Sequence, residues 1–385
     1  MKVFVLGGAG HVGRPAAQIL ATSDLVSEVV VGGRDLERAE RAASELGAKA
    51  SSVAVDATDE QRLASLAADC DLIVNAAGPD FKVPLPAVRA AIAAGVHYCD
   101  VGADGAMTEQ VLELDADARA AGVTVIPGIG VAPGLTNLMA VHAAHQLEVA
   151  EEIQFGYLYS AERHSQELRE TGHVSASWET VLKFASGRVR TYREGRWIEV
   201  DAFESGVKVV LPQTGTVVTA FPVATPEPIT LPHHLPGVKT VTSLVGVFPP
   251  ELGDLWREQA RLIAAGKVEA SQGARSLLEA VNNDPDRLLA RPEGLPSVPV
   301  WLTATGVRQG HRTRYACWPT SWWMSTGAVI AIAALKVLRG DIGKVGVLPP
   351  EACFEPMSFF AEVARCGPEQ PPDGELLGES FELLD

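Results

Sequence analysis

Cysteine is scarce and unpatterned in this chain: the five residues Cys70, Cys99, Cys317, Cys353 and Cys366 lie far apart, with no CxxC pair among them. An odd, scattered set excludes a disulfide framework and fits a reducing compartment. Basic charge is short as well. Thirty-two Lys and Arg face 48 Asp and Glu, for a net charge of −16, so no cationic surplus exists to release counterions from a nucleic acid. No apolar run is long enough to cross a bilayer; the strongest, residues 328–338, is too short and carries Lys336. No signal-like segment precedes the first apolar strand. The expectation is a cytoplasmic protein with neither membrane nor nucleic acid as partner. A Gly-x-Ser-x-Gly elbow is missing, which removes the commonest hydrolase design. His142 and His145, and the pair His233–His234, lack a third ligand at sensible spacing, so no metal site is expected.

What the chain does have is concentrated at its start. The apolar run Val3–Leu6 reads as a buried parallel strand. It opens into Gly8-x-Gly10-x-x-Gly13, and a helix-like segment follows from Arg14 to Thr22. Gly8 is assigned the tight turn, Gly10 the close approach to a pyrophosphate across His11 and Val12, and Gly13 the close packing of helix on strand. The pyrophosphate charge belongs on the free N–H groups at the helix N-terminus. A second strand, residues 28–33, ends where NAD-binding proteins place an acid for the ribose. Here Gly33 and Arg34 occupy that place. A guanidinium forks well onto a 2′-phosphate, so the cofactor is read as NADP(H), with NAD(H) possible. Arg34 stacking on adenine, or Asp35 turning inward, are the competing readings.

Strand and helix signals alternate through residue 126: a third strand at 52–55 ending at Asp56, a helix at 60–68, a fourth strand at 71–75, a helix at 86–94, a short strand at 96–99, a helix at 108–121 and a strand at 123–126. Repeated βα units predict an α/β fold, a Rossmann-type doubly wound parallel sheet. Its ligands lie beyond the carboxyl ends of the strands, which gathers Gly8–Gly13, Gly33–Arg34, Asp56–Ala57 and Asn75–Pro79 in one crevice. After residue 130 the spacing changes to strand-like pieces at 152–159, 189–192, 196–200, 208–211, 217–219, 240–247 and 299–308, the mark of a second α+β domain on a mainly antiparallel sheet. Residues 249–296 read as two or three helices, and 327–339 as an apolar helix returning to the dinucleotide domain. The expected domains are 1–130, 131–318 and a C-terminal helical segment, 319–385.

Five stretches in this order resemble the saccharopine dehydrogenase-like oxidoreductases: Gly7-Gly-Ala-Gly-His-Val-Gly13, Asp71-Leu-Ile-Val-Asn-Ala-Ala-Gly-Pro79, Gly95-Val-His-Tyr-Cys-Asp100, Pro127-Gly-Ile-Gly-Val-Ala-Pro-Gly-Leu-Thr-Asn137, and the C-terminal set Ser325-Thr-Gly327 with Gly346-Val-Leu-Pro-Pro-Glu351. The resemblance, to a group that includes saccharopine reductases, lysine 6-dehydrogenases and carboxynorspermidine synthases, implies hydride transfer between NADPH and an imine formed from an amine and a carbonyl compound. It also implies that the loop Asn75, Ala76, Gly78 and Pro79 lies near the nicotinamide ribose. Tyr98 and Asp100 lead as catalytic candidates, Asp100 either stabilising an iminium or capping the turn that follows it. Asp104 has the same two readings. Asn137 either faces the cleft or caps and packs a helix. Arg163 is a candidate receptor for a substrate carboxylate, against plain solvation of a surface. Trp178, Trp197, Trp318, Trp322 and Trp323, with Thr326, stand near candidate substrate positions. If the tryptophans line the site rather than the core, the substrate is more apolar or cyclic than saccharopine. A homodimer is expected. The rival readings are a C=C or C=O reductase and a dinucleotide-binding regulatory protein without turnover.

Overall fold

Short apolar runs become strands, and the amphipathic segments between them become helices, in the computed structural model, which describes residues 1–384. In chain order these are β1 (Lys2–Leu6), α1 (Gly13–Thr22), β2 (Glu28–Gly33), α2 (Leu36–Leu46), β3 (Ala50–Ala54), α3 (Glu60–Ala67), β4 (Leu72–Asn75), α4 (Pro84–Ala94), β5 (His97–Asp100), α5 (Gly105–Leu112), α6 (Asp115–Ala121), β6 (Thr124–Ile126) and α7 (Leu135–His145). The helix expected at 108–121 is two helices. The break puts Asp115 at the start of α6, where its Oδ1 accepts the Val347 N–H.

The chain divides into two units, Met1–Leu138 with Trp322–Pro371, and Met139–Ser321 with the residues from Pro372 onward. The first is built on a seven-stranded sheet in the order β3-β2-β1-β4-β5-β6, completed beyond β6 by the short strand Gly346–Val347. Every pairing in it is parallel. Phe4, Leu6, Ile73, Tyr98 and Val125 pack with apolar residues of α3, α4 and α6, each large side chain adding roughly 1.5–3 kcal/mol by leaving water. The helix Thr326–Arg339 packs against α1, β4 and β5, as its uninterrupted apolar sequence requires.

The second unit carries a nine-stranded sheet. Strand Thr240–Val247 pairs in parallel with Val149–Tyr159, and the remaining pairings are antiparallel. Tyr159, Trp178, Trp256 and Phe203 form a continuous aromatic core, with Trp178 and Trp256 rings 5.0 Å apart. The segment expected to run helical from 319 to the end divides instead. Its first part belongs to the first unit, while Leu377–Leu383 is a strand on the edge of the second sheet, paired with His311–Pro319. Most of that edge strand is exposed, so it lacks the apolar alternation by which a buried strand announces itself.

Candidate functional site

The turn leaving β1 sets the geometry. Gly7, not Gly8, carries the left-handed backbone, with φ at +71°. A Cβ there would stand 2.7 Å from the Ala76 carbonyl oxygen, so the loop after β4 lies directly against the glycine turn. The Gly10 N–H donates to the Gly7 carbonyl at 2.8 Å. A Cβ on Gly13 would collide with that same Gly7 carbonyl, which holds α1 tightly over the turn. The helix has no side-chain cap at Val12 and no acidic residue in its first turn. The Arg14 N–H is turned to the Gly10 carbonyl and Pro15 has none, so an external anion suits the very start of the helix, at the Gly13 end, where the dipole is positive. Such a cradle, closed to any side chain at these glycines, fits a dinucleotide pyrophosphate.

On one side of the cradle, β2 and β3 lead out to Arg34 and to Asp56–Ala57. Arg34 is exposed. Asp35 is committed to capping α2, its Oδ1 accepting the Arg38 N–H at 3.0 Å, so it does not turn toward a ribose. Asp56 Oδ1 accepts both the N–H and the hydroxyl of Thr58 at 2.8 and 2.7 Å. These bonds, with the Arg34 charge as a minor addition, hold the Asp56 carboxyl below its ordinary range.

On the other side, β4 and β5 are in register, with Asn75 opposite Asp100. Asn75 Nδ2 donates to the Tyr98 hydroxyl at 2.8 Å, and its Oδ1 accepts the Ala77 N–H at 3.0 Å. Tyr98 is fully buried, and burial drives its hydroxyl pKa well up. Asp100 is 1% exposed. Its Oδ1 accepts the N–H groups of Gly102 and Gly128, both at 2.8 Å, while Oδ2 has no hydrogen-bond partner among the described residues. Burial raises the Asp100 pKa; the two N–H bonds and the Tyr98 hydroxyl work against it. Asp100 thus ties down the turn after β5 and also presents an unsatisfied oxygen. Asp104 caps α5 through the Met107 N–H at 2.8 Å.

Asn137, in the first turn of α7, accepts the Gly134 N–H at Oδ1 and donates from Nδ2 to Glu351 Oε2 at 2.9 Å. It braces the 127–134 loop. Thr326, half-buried, opens the helix that Ser325 caps, and a Cβ on Gly130 would stand 3.0 Å from its methyl. The first unit therefore brings together the glycine loop, the Asn75–Pro79 loop, Tyr98, Asp100, Asn137 and Thr326. Arg163 belongs to the second unit, on the helix Glu162–Thr171, where desolvation lowers its pKa. Of the tryptophans, Trp178 and Trp323 are core residues. Trp197 donates its indole N–H to the Pro228 carbonyl, and Trp322 is 38% exposed. His142 pairs with Glu379 at 2.7 Å.

Sequence reasoning passed over Asp80. It stands one residue beyond the Asn75–Pro79 motif, and its Oδ2 accepts the Ala103 N–H at 2.9 Å. Burial, reinforced by the charges of Asp100 and Asp104, pushes its carboxyl up to about 7. A carboxylate immediately after Gly-Pro at the carboxyl end of a sheet strand was the available signal.

Residues 3–126 match the family described as saccharopine dehydrogenase NADP binding domain. The NADP(+)-dependent, L-glutamate-forming saccharopine dehydrogenase of Saccharomyces cerevisiae is 30% identical over 149 residues, 39% of this chain and 32% of the yeast protein. A putative trans-acting enoyl reductase of Mycobacterium tuberculosis is 27% identical over 115 residues, 29% of this chain and 27% of its own. The matched stretch thus spans about a third, or less, of these curated relatives. The solved apo structure of saccharopine dehydrogenase (L-Glu forming) from Saccharomyces cerevisiae shares the fold over 99% of both chains, with a TM-score of 0.65 at 18% identity.

Proposed function

With residues 3–126 an NADP-binding domain of the saccharopine dehydrogenase type as premise, we propose that the protein is an NADP(H)-preferring oxidoreductase acting on C–N bonds. Its substrate would be an imine formed from an amine and a carbonyl compound. The observation that carries this reading is the buried Asp100 carboxylate, one oxygen unsatisfied, beside the Asn75–Pro79 loop and across the glycine turn from Arg34. A fixed negative charge in a water-poor site suits a developing or resident iminium.

When bound, the cofactor supplies or accepts the hydride. The chain's own residues do the rest. The glycine turn and the α1 N-terminus take the pyrophosphate, and Arg34 takes the 2′-phosphate. Asn75 and Tyr98 fix the β4 loop, and two backbone N–H groups hold Asp100 Oδ1 in place. Asn137 keeps the 127–134 loop in place. Arg163 would receive a substrate carboxylate, and Trp322 and Thr326 would contact the substrate. A cytoplasmic homodimer completes the proposal; a monomer mass in light scattering removes that part of it.

The test is NADPH oxidation, followed by absorbance, with a panel of amine–carbonyl mixtures. Asp100→Asn is expected to lower turnover by about 10²-fold or more while NADPH affinity is retained. Full activity in that variant would end the role given to Asp100. The second reading, reduction of a conjugated C=C bond, draws on the resemblance to the putative enoyl reductase. NADPH oxidation with enoyl compounds, and none with amine–carbonyl pairs, would favour it.

A further inference from the structure

We propose that Asp80 is the proton-exchanging group on the nicotinamide side of the crevice, neutral beside the reduced cofactor and ionised beside the oxidised one. This deepens the function proposed above and rests on it for the identity of the nitrogen that shares the proton.

The placement follows from topology. The glycine turn leaves β1, which is flanked by β2 on one side and β4 on the other. In a sheet of this winding the adenosine half of a dinucleotide lies over the β2 side and the nicotinamide half over the β4 side. Asp80 lies on the β4 side, in the loop whose Ala76 and Ala77 backbone abuts Gly7. Three carboxylates meet there from three elements: Asp80 from the β4 loop, Asp100 from the end of β5 and Asp104 from the cap of α5. Asp100 is 1% exposed and Asp104 is 8% exposed. Asp100 is held by two backbone N–H groups, and Asp104 spends Oδ1 on the α5 cap. Asp80 is half-buried, less enclosed than either, and is anchored through Oδ2 to Ala103. The other titratable neighbour, Tyr98, is locked under Asn75 in the core. Burial, reinforced by the charges of Asp100 and Asp104 on the same short arc, pushes the Asp80 carboxyl up to about 7. It therefore changes charge near neutral pH.

An oxidised nicotinamide ring carries one more positive charge than a reduced one. An ionised Asp80 offsets that charge, and a neutral Asp80 suits the uncharged ring. In the reductive direction the Asp80 O–H bond breaks, an N–H bond forms on the product nitrogen, and the carboxylate keeps the electron pair; the reverse direction restores the proton to Asp80. Atoms and charge balance without any further reactant.

The first arm of the test needs no substrate. NADPH affinity is measured by fluorescence and NADP+ affinity by competition, from about pH 6 to about pH 8, on the wild-type chain, Asp80→Asn and Asp80→Glu. The phosphates are common to both cofactor forms, so their titration cancels in the ratio of the two dissociation constants. In the wild type, Kd(NADP+)/Kd(NADPH) is expected to fall by about fivefold to tenfold as pH rises, with a midpoint near 7, since one pKa unit corresponds to tenfold in affinity. Asp80→Asn should give a flat ratio and Asp80→Glu should restore a titration. The Asn side chain can still accept the Ala103 N–H, so the loop keeps its anchor. A flat ratio in the wild type, or an unchanged slope in Asp80→Asn, would overturn the proposal. The second arm uses whichever amine–carbonyl mixture turns over: Asp80→Asn should lose the ionisation near 7 from the kcat profile and about 10²-fold in kcat. A kcat profile unchanged in that variant would also overturn it. No turnover with any mixture counts against the imine reading alone, because the affinity ratio decides the role of Asp80 by itself.

Discussion

The 2′-phosphate role proposed for Arg34 rests on a missing carboxylate as much as on its own charge. Asp35, next in sequence, is occupied as a helix cap, and Asp56 accepts the N–H and hydroxyl of Thr58, so the residue directly after β2 that is left for a ligand is a guanidinium and not an acid. Arg34→Ala is expected to weaken NADPH binding by about tenfold to a hundredfold, the worth of a hydrogen bond to a charged group, and to leave NADH binding nearly unchanged. Equal losses for both cofactors would refute the 2′-phosphate assignment. Asp80 makes a second prediction, read in stability. Its folded carboxyl titrates at about 7, against 3.8 for the ordinary group, so between those values the folded state holds a proton that the unfolded chain has released. That contribution is complete at low pH and is lost as pH rises through 7. The Tm of Asp80→Asn relative to wild type should climb from about pH 4 to about pH 7 and then level off; a constant difference would contradict the raised pKa. Arg34 was legible in the sequence because its place is counted along the chain from the glycines. The raised proton affinity of Asp80 was not, because it comes first from burial and then from the charges of Asp100 and Asp104, which only folding supplies.

Elements were easiest to read where burial imposed a period. The strands β1, β2 and β4 are apolar because both faces of the parallel sheet are covered, and α2 is amphipathic with an Asp at its start and a Gly at its end. The helix Thr326–Arg339 was equally plain, yet its docking depends on one small residue. A Cβ on Gly327 would stand 2.8 Å from the Pro15 side chain and 2.9 Å from the Val12 carbonyl. Gly327→Val is expected to push the helix off the first turn of α1, costing about 1–3 kcal/mol, and to weaken NADPH binding as the phosphate cradle shifts. Thermal unfolding with and without NADPH measures both, and an unchanged Tm would show that the contact is not tight. Less regular elements escaped the sequence. The strand His311–Pro319 and the helices Glu162–Thr171 and Ala176–Phe184 have no counterpart among the elements read from the sequence.

For the molecule as a whole, the last residues answer to the second unit. The strand Leu377–Leu383 brings Glu379 to within 2.7 Å of both the Tyr315 hydroxyl and His142 Nε2. These bonds hold the Glu379 carboxyl low against the opposing effect of burial. Deletion of residues 372–385 should lower the unfolding temperature of the second unit by several degrees, as expected where an edge strand and a partly exposed hydrogen-bonded network go together. NADPH binding by the first unit should survive. Calorimetry with and without NADPH reports the two effects separately, and a loss of NADPH binding would contradict the division of the chain. By itself the sequence determined the dinucleotide fold and the phosphate loop and pointed to NADP, since each rests on neighbours in the chain: a strand, a glycine turn and the residue that follows the next strand. The tertiary structure decided that Gly7 makes the turn, that Asp100 is a buried brace with one open oxygen, that the Asp80 carboxyl is pushed up to about 7 and that the tail joins the second sheet. Those are properties of burial and of charges distant in sequence, which exist only once the chain has folded.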